Sequence, residues 1–189
     1  MEQYKKDIIS QNKEFQDIIY PLITNDTVQQ MKNFKQHYET TCFEHCYTAA
    51  YHCYCICKKL NLDYKSATRA AMLHDLFLYD WRKRQPDRKG LHAFTHGKTA
   101  CENASKLFDL NDKEKDIIEK HMWPVTVAFP KSIEGFILTF VDKYCALSES
   151  FEILKSRLSS FSFLAASINL VSFLSSSVCL PTFKKVKVF

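Results

Sequence analysis

The chain has 189 residues, 46% of them hydrophobic, with only 3 glycines and 5 prolines, which fits one helix-rich core. Its formal charge of +5 is uneven: residues 158–189 hold three lysines and no acid, so all 21 acids lie in the body of the chain. That body is too evenly charged to suggest a nucleic-acid duplex as partner, and the absence of GxGxxG and P-loop signatures excludes dinucleotide and Walker sites.

Residues 1–20 read as a polar helix with Ile8, Phe15, Ile18 and Ile19 apolar, ended or kinked by Pro21. Asn25-Asp26-Thr27 offers a cap for a second helix at about 27–37. The next helix, about 42–60, carries His45, and the series Cys42, Cys46, Ala49, Cys53, Ile56, Leu60 reads as one face. The first residues lead into no long apolar run, so no secretory signal is read and a cytoplasmic location is expected. The eight cysteines are then read as free thiols, packed as small hydrophobes rather than held as metal thiolates.

Asp63 precedes a helix expected to run to about Leu78 and to carry His74 and Asp75. Residues 80–90 form a charged loop, followed by a helix at about 95–108 with His96 near its start. Asn111 or Asp112 caps a short helix ending near His121, and Pro124 and Pro130 bound the loop after it. A helix at about 133–154 carries Asp142. There is no useful strand alternation and no internal repeat. After Arg157 the composition changes, and residues 158–183 contain no charge. The 161–180 stretch is long enough to span a bilayer, but its six serines and one asparagine favour a packed C-terminal helix or a tail over membrane association. An atypical or out-of-frame end is a third reading. The chain thus divides into an N-terminal helical extension (1–40), a central domain (41–157) and a Ser/Phe/Leu-rich tail (158–189).

His74-Asp75 lies in the apolar stretch Ala70-Ala71-Met72-Leu73-His74-Asp75-Leu76-Phe77-Leu78. Such a pair is costly to bury unless something compensates it, and a metal ion does so with both side chains as ligands. Taken singly, a histidine on an apolar face is more often a hydrogen-bonded core residue. His37 is expected to be exposed, His52 to pack, and His92 to cap its helix or line the site. The set is more telling, because His45, His74 with Asp75, His96, His121 and Asp142 recur about every 20–30 residues, one group to each successive helix.

This ordered set resembles the HD-domain superfamily of metal-dependent phosphohydrolases. The likeness runs over about 42–150 and includes Leu60-Asn61-Leu62-Asp63, Arg69-Ala70-Ala71-Met72-Leu73-His74-Asp75, and Val141-Asp142-Lys143-Tyr144. His96-Gly97-Lys98-Thr99-Ala100 is similar to the third-histidine segment of a bacterial subgroup that cleaves dinucleoside polyphosphates. The resemblance implies an all-α helical bundle with a metal site in its core. His45, His74, Asp75 and Asp142 would hold a first metal, and His96 and His121 a second, with Asp75 bridging. The ions would be one or two of Fe, Mn, Co, Ni or Zn, activating hydroxide against a phosphate ester or anhydride, with a nucleotide as the expected substrate. Many relatives carry a lysine shortly after the doublet, where this chain has Leu76, Phe77, Leu78 and Tyr79. Lys98 is the expected catalytic cation in its place, with Arg82 or Arg84 helping to bind substrate. A mononuclear nucleotidase, an HD-type di-iron oxygenase and a non-catalytic metal- or nucleotide-sensing domain remain as alternatives, and the oligomeric state is open.

Overall fold

A computed structural model describes residues 12–37, 40–83 and 90–151. The chain divides into two compact units, Met1–Glu149 and Ser150–Phe189; the first is described here. Its helices are α1 (Lys13–Ile23), α2 (Asp26–Gln29), α3 (Cys42–Lys59), α4 (Tyr64–Leu73), α5 (His92–Leu107) and α6 (Asp112–Lys120), followed by α7 at 133–151. The all-α expectation holds, apart from a short antiparallel ribbon of β1 (Lys35–His37) and β2 (Thr40–Thr41), in which Lys35 pairs with Thr41. This ribbon replaces the second half of the helix expected at 27–37: α2 gives way to a 3-10 turn at Gln30–Asn33 and then to extended chain.

Local chemistry sets most helix starts. The Asn12 side chain accepts from the Phe15 N–H, Asp63 from Ser66, and Asn25 from Thr27 and Val28. Thr41 with Glu44 opens α3, and Asn111 with Glu114 opens α6, each as a full capping box. At the end of α3, Asn61 takes φ 54°, while Leu62 N–H donates to Cys57 O (2.9 Å) and Asn61 N–H to Lys58 O (3.2 Å). These bonds satisfy the last carbonyls and turn the chain straight into α4. Pro21 lies inside α1 rather than ending it.

Packing runs α3 on α4, α4 on α6 and α6 on α5, with α1 laid against α4. The small residues Ala67, Ala70 and Ala71 on α4, all fully buried, allow the close α3–α4 approach. On α3 the buried face is Cys42, Cys46, Ala49, Ala50, Cys53, Tyr54 and Cys57. The sequence series placed Ile56 and Leu60 on that face, but both are exposed. Cys57 takes the inward position because a 3.6-residue repeat drifts off a strict 3–4 series. The buried cysteines are free thiols.

The helix expected to reach Leu78 stops at Leu73, with His74 as its C-cap and Asp75 in the following turn. Leu76 and Phe77 are buried in non-helical chain, and Leu78 has φ 55°. A continuous apolar run does not distinguish a buried helix from a buried extended segment. Among the described residues no helix is long and apolar enough to cross a membrane. The 161–180 stretch, with the whole of 158–189, lies outside the described residues, as do 1–11 of the N-terminal extension.

Candidate metal centre

Five elements point polar side chains at one buried place. His45 comes from the second turn of α3, His74 and Asp75 from the end of α4, and His96 from the second turn of α5. His121 caps α6 and Asp142 lies midway along α7. All six are buried, at 0–9% exposure, which without compensation is untenable for two carboxylates. Ligand atoms of His45, His74, Asp75 and Asp142 lie within 4.8 Å of one another, and so do those of Asp75, His96 and His121. Asp75 belongs to both groups.

The imidazole orientations are fixed from behind. His74 Nδ1 faces Ala71 O at 2.7 Å, His96 Nδ1 faces His92 O at 2.8 Å, and His121 Nδ1 faces Ile118 O at 2.8 Å. A carbonyl oxygen only accepts, so each Nδ1 carries the hydrogen, and in the neutral ring Nε2 presents its lone pair inward. His45 follows the same rule with Glu149 Oε1 as its acceptor at 3.0 Å. The four Nε2 atoms then converge on the carboxylates. His45 Nε2 is 3.0 Å from Asp142 Oδ1, His74 Nε2 is 3.5 Å from both Asp75 Oδ2 and Asp142 Oδ1, and His96 Nε2 is 3.3 Å from Asp75 Oδ1. His96 Nε2 and His121 Nε2 lie 2.9 Å apart, an unfavourable meeting of lone pairs unless a cation is shared. His74 Nε2 and Asp75 Oδ1 are buried and have no hydrogen-bond partner. The donor set, its tautomers and these two orphaned atoms fit a divalent transition metal.

The electrostatics agree. Burial opposes charge on every group here. Even so, His45 is held well above the usual histidine range by Asp142 and Glu149. Asp142 is held well below the usual carboxylate range by His45 and His74, and Asp75 is lowered by His74, His96 and His121. His121 goes the other way, down to about 3, through burial and the neighbouring His96 and His74. The pocket thus stabilises anionic carboxylates and asks for positive charge between them.

Three residues that sequence reasoning overlooked complete the site. Gln36, brought by β1, donates from Nε2 to Asp75 Oδ2 (2.5 Å). Glu149 holds His45 from seven residues beyond Asp142, on the same face of α7. Lys143 Nζ donates to His121 O (3.2 Å) and Thr139 O (3.3 Å) and lies 3.8 Å from Asp142 Oδ2. The seven-residue spacing makes Glu149 findable in the sequence, and Lys143 adjoins a recognised aspartate. Nothing local marks Gln36.

The expected cations fare differently. Lys98 is exposed, two residues and so about 200° round the helix from His96. Arg82 is exposed; it donates to Lys35 O (3.1 Å) and lies over the Trp81 ring, bracing the chain after the doublet against β1. Arg84 lies outside the described residues. His92 opens α5 and stacks between Trp81 (5.5 Å) and His96 (4.3 Å), with Tyr79 OH 3.0 Å from its Nδ1. His52 packs edge-on against Tyr144.

Comparison with known families gives one finding: the model of the HD domain matches residues 42–147. No curated protein matches the chain, and no solved structure does.

Proposed function

The chain belongs to the HD-domain family, and from that premise we propose that it is a metal-dependent phosphohydrolase acting on a phosphate ester or anhydride, with a nucleotide as the substrate class. The convergence of four Nε2 atoms on Asp75 and Asp142, with every Nδ1 tied back, carries this reading. His45, His74, Asp75 and Asp142 would hold one divalent ion, and Asp75, His96 and His121 a second. Such ions supply Lewis acidity towards phosphoryl oxygen and a water whose pKa falls to about 7.

The chain's own groups do the rest. Gln36 donates to Asp75 Oδ2, so this carboxylate is oriented before substrate arrives. Lys143 places an ammonium beside Asp142, where it can meet a phosphoryl oxygen. It thereby supplies the positive charge absent from the residues after the doublet. Phe77, Tyr79, Trp81 and His92 form an aromatic wall next to His96, which supports a base-bearing substrate.

The test is metal quantification of the purified protein, then a screen of nucleotides and phosphate esters with that metal. Bound metal and phosphate release are expected, and both should vanish together in Asp75→Ala. Oxygen uptake without phosphate release would replace hydrolysis with oxygenase chemistry. Protein that holds no metal after reconstitution would remove the basis of either.

A further inference from the structure

Gln36 carries a polar atom that orientation of Asp75 does not use. The residue is 8% exposed, and its Nε2 donates to Asp75 Oδ2. A carboxylate only accepts, so the nitrogen is the end turned to Asp75 and the amide oxygen is left over. That oxygen, Oε1, is closed to solvent and has no hydrogen-bond partner among the described residues, and the same holds for His74 Nε2. Buried acceptors left in this way are costly unless an occupant compensates them. A water molecule has two hydrogens to give, whereas Gln36 Oε1 adds to acceptors already supplied by His74, Asp75 and Asp142. A cation serves them all.

The two oxygens of Asp75 separate the two halves of the centre. Oδ1 lies 3.3 Å from His96 Nε2 and 3.7 Å from His121 Nε2, and Oδ2 lies 3.5 Å from His74 Nε2. Gln36 is bonded to Oδ2, which puts it with the group of His45, His74, Asp75 and Asp142. We propose that Gln36 Oε1 is a fifth ligand of the ion held by that group, and that the ion is of the six-coordinate manganese(II) or iron(II) class. This deepens the metal-centre reading above and rests on it. Two imidazole nitrogens and three oxygens exceed the four ligands that zinc takes. Carboxylate and carbonyl oxygens suit manganese, and mixed histidine–carboxylate sets suit iron(II). One position then stays open for water or substrate.

The ribbon holds the amide in place. Just before Gln36, Phe34 O accepts from the Cys42 N–H (2.8 Å) and Lys35 O from Arg82 (3.1 Å). Gln36 is thereby tied both to the start of α3 and to the chain after the doublet. It precedes the 42–147 span that matches the family, so this donor comes from outside the family domain.

The experiment is chelator competition for manganese(II) and zinc(II) on the full chain, with circular dichroism as the folding control. Gln36→Leu removes both ends of the amide. It should weaken manganese(II) binding about 100-fold or more, at or beyond the loss seen when a group behind a ligand is removed, and should weaken zinc(II) binding less. Gln36→Glu keeps an oxygen and loses the N–H, and it should bind manganese(II) at least as tightly as wild type. A role confined to the N–H reverses that order, because a second carboxylate then faces Asp75. Wild-type affinity in Gln36→Leu, or a Gln36→Glu as weak as Gln36→Leu, overturns the ligand role. Equal losses for the two metals overturn the six-coordinate class. A crystal structure of the manganese-loaded chain, with the ion located by anomalous scattering, should place Oε1 at about 2.2 Å from it. An Oε1 outside bonding distance overturns this inference and leaves the centre standing, whereas a chain that takes up no metal removes the centre and its fifth ligand together.

Discussion

At the scale of single residues, the candidate metal centre includes groups behind the candidate ligands as well as those ligands. Glu149 fixes the tautomer and direction of the His45 ring, and loss of such a support typically lowers metal affinity about 10–100-fold. Glu149→Gln should therefore weaken metal binding by that factor in a chelator competition, and unchanged affinity would show that His45 is oriented without it. Lys143→Gln should keep the metal but lower kcat by about 100-fold, the usual scale for removing one stabilising donor from a reacting centre. A full-rate variant would place the phosphate elsewhere. His121→Ala should take metal content from two ions per chain towards one, and a wild type holding a single ion would favour the mononuclear form. His74, Asp75 and Asp142 were legible as polar residues in apolar stretches, whereas His45, His96 and His121 were legible only as members of an ordered set. Gln36 was not legible, because a glutamine in a polar segment carries no mark until the ribbon folds it over Asp75.

Among the helices, the approach of α5 to α6 decides how His96 meets His121. A Cβ added at Gly97 would lie 2.7 Å from Glu119 O and 3.2 Å from Ile118 O, so Gly97 permits backbone-to-backbone contact beside His96 and His121. Gly97→Ala should cost about 1–3 kcal/mol by overpacking and separate the His96 and His121 rings. The checks are urea denaturation and metal content, and a variant with wild-type stability and two ions would refute the tight-contact reading. The helix starts at Tyr64 and Asp112 were legible because Asp63 and Asn111 act within one turn of chain. The ends at Asn33 and Leu73 were harder to read. Extended chain there is chosen by ribbon pairing and by burial of Leu76 and Phe77, which are contacts distant in sequence.

For the molecule as a whole, Glu14 ties α1 to the core. Its carboxylate accepts from Tyr54 OH (2.6 Å) and Tyr64 OH (2.8 Å) and pairs with Lys58. Lys58 chiefly, then Tyr54 and Tyr64, bring its pKa from 4.5 to about 2. A group with a lowered folded pKa adds stability that is present above its unfolded value and lost as the pH falls through the folded one. Glu14→Gln should therefore flatten the loss of stability between pH 4.5 and about 2 and leave the slope above that window alone. Equal urea midpoints for both proteins across the window would show that the tie contributes nothing. By itself the sequence determined the helical class, the family resemblance and the order of the six ligand candidates, because these rest on composition, short-range capping and residue type. Only the tertiary structure decided that Lys98 is exposed while Lys143 bonds to His121 O, and that Gln36 and Glu149 contact the candidate ligands Asp75 and His45. Those outcomes depend on which faces of distant helices are pressed together, and that is a property of the assembled core.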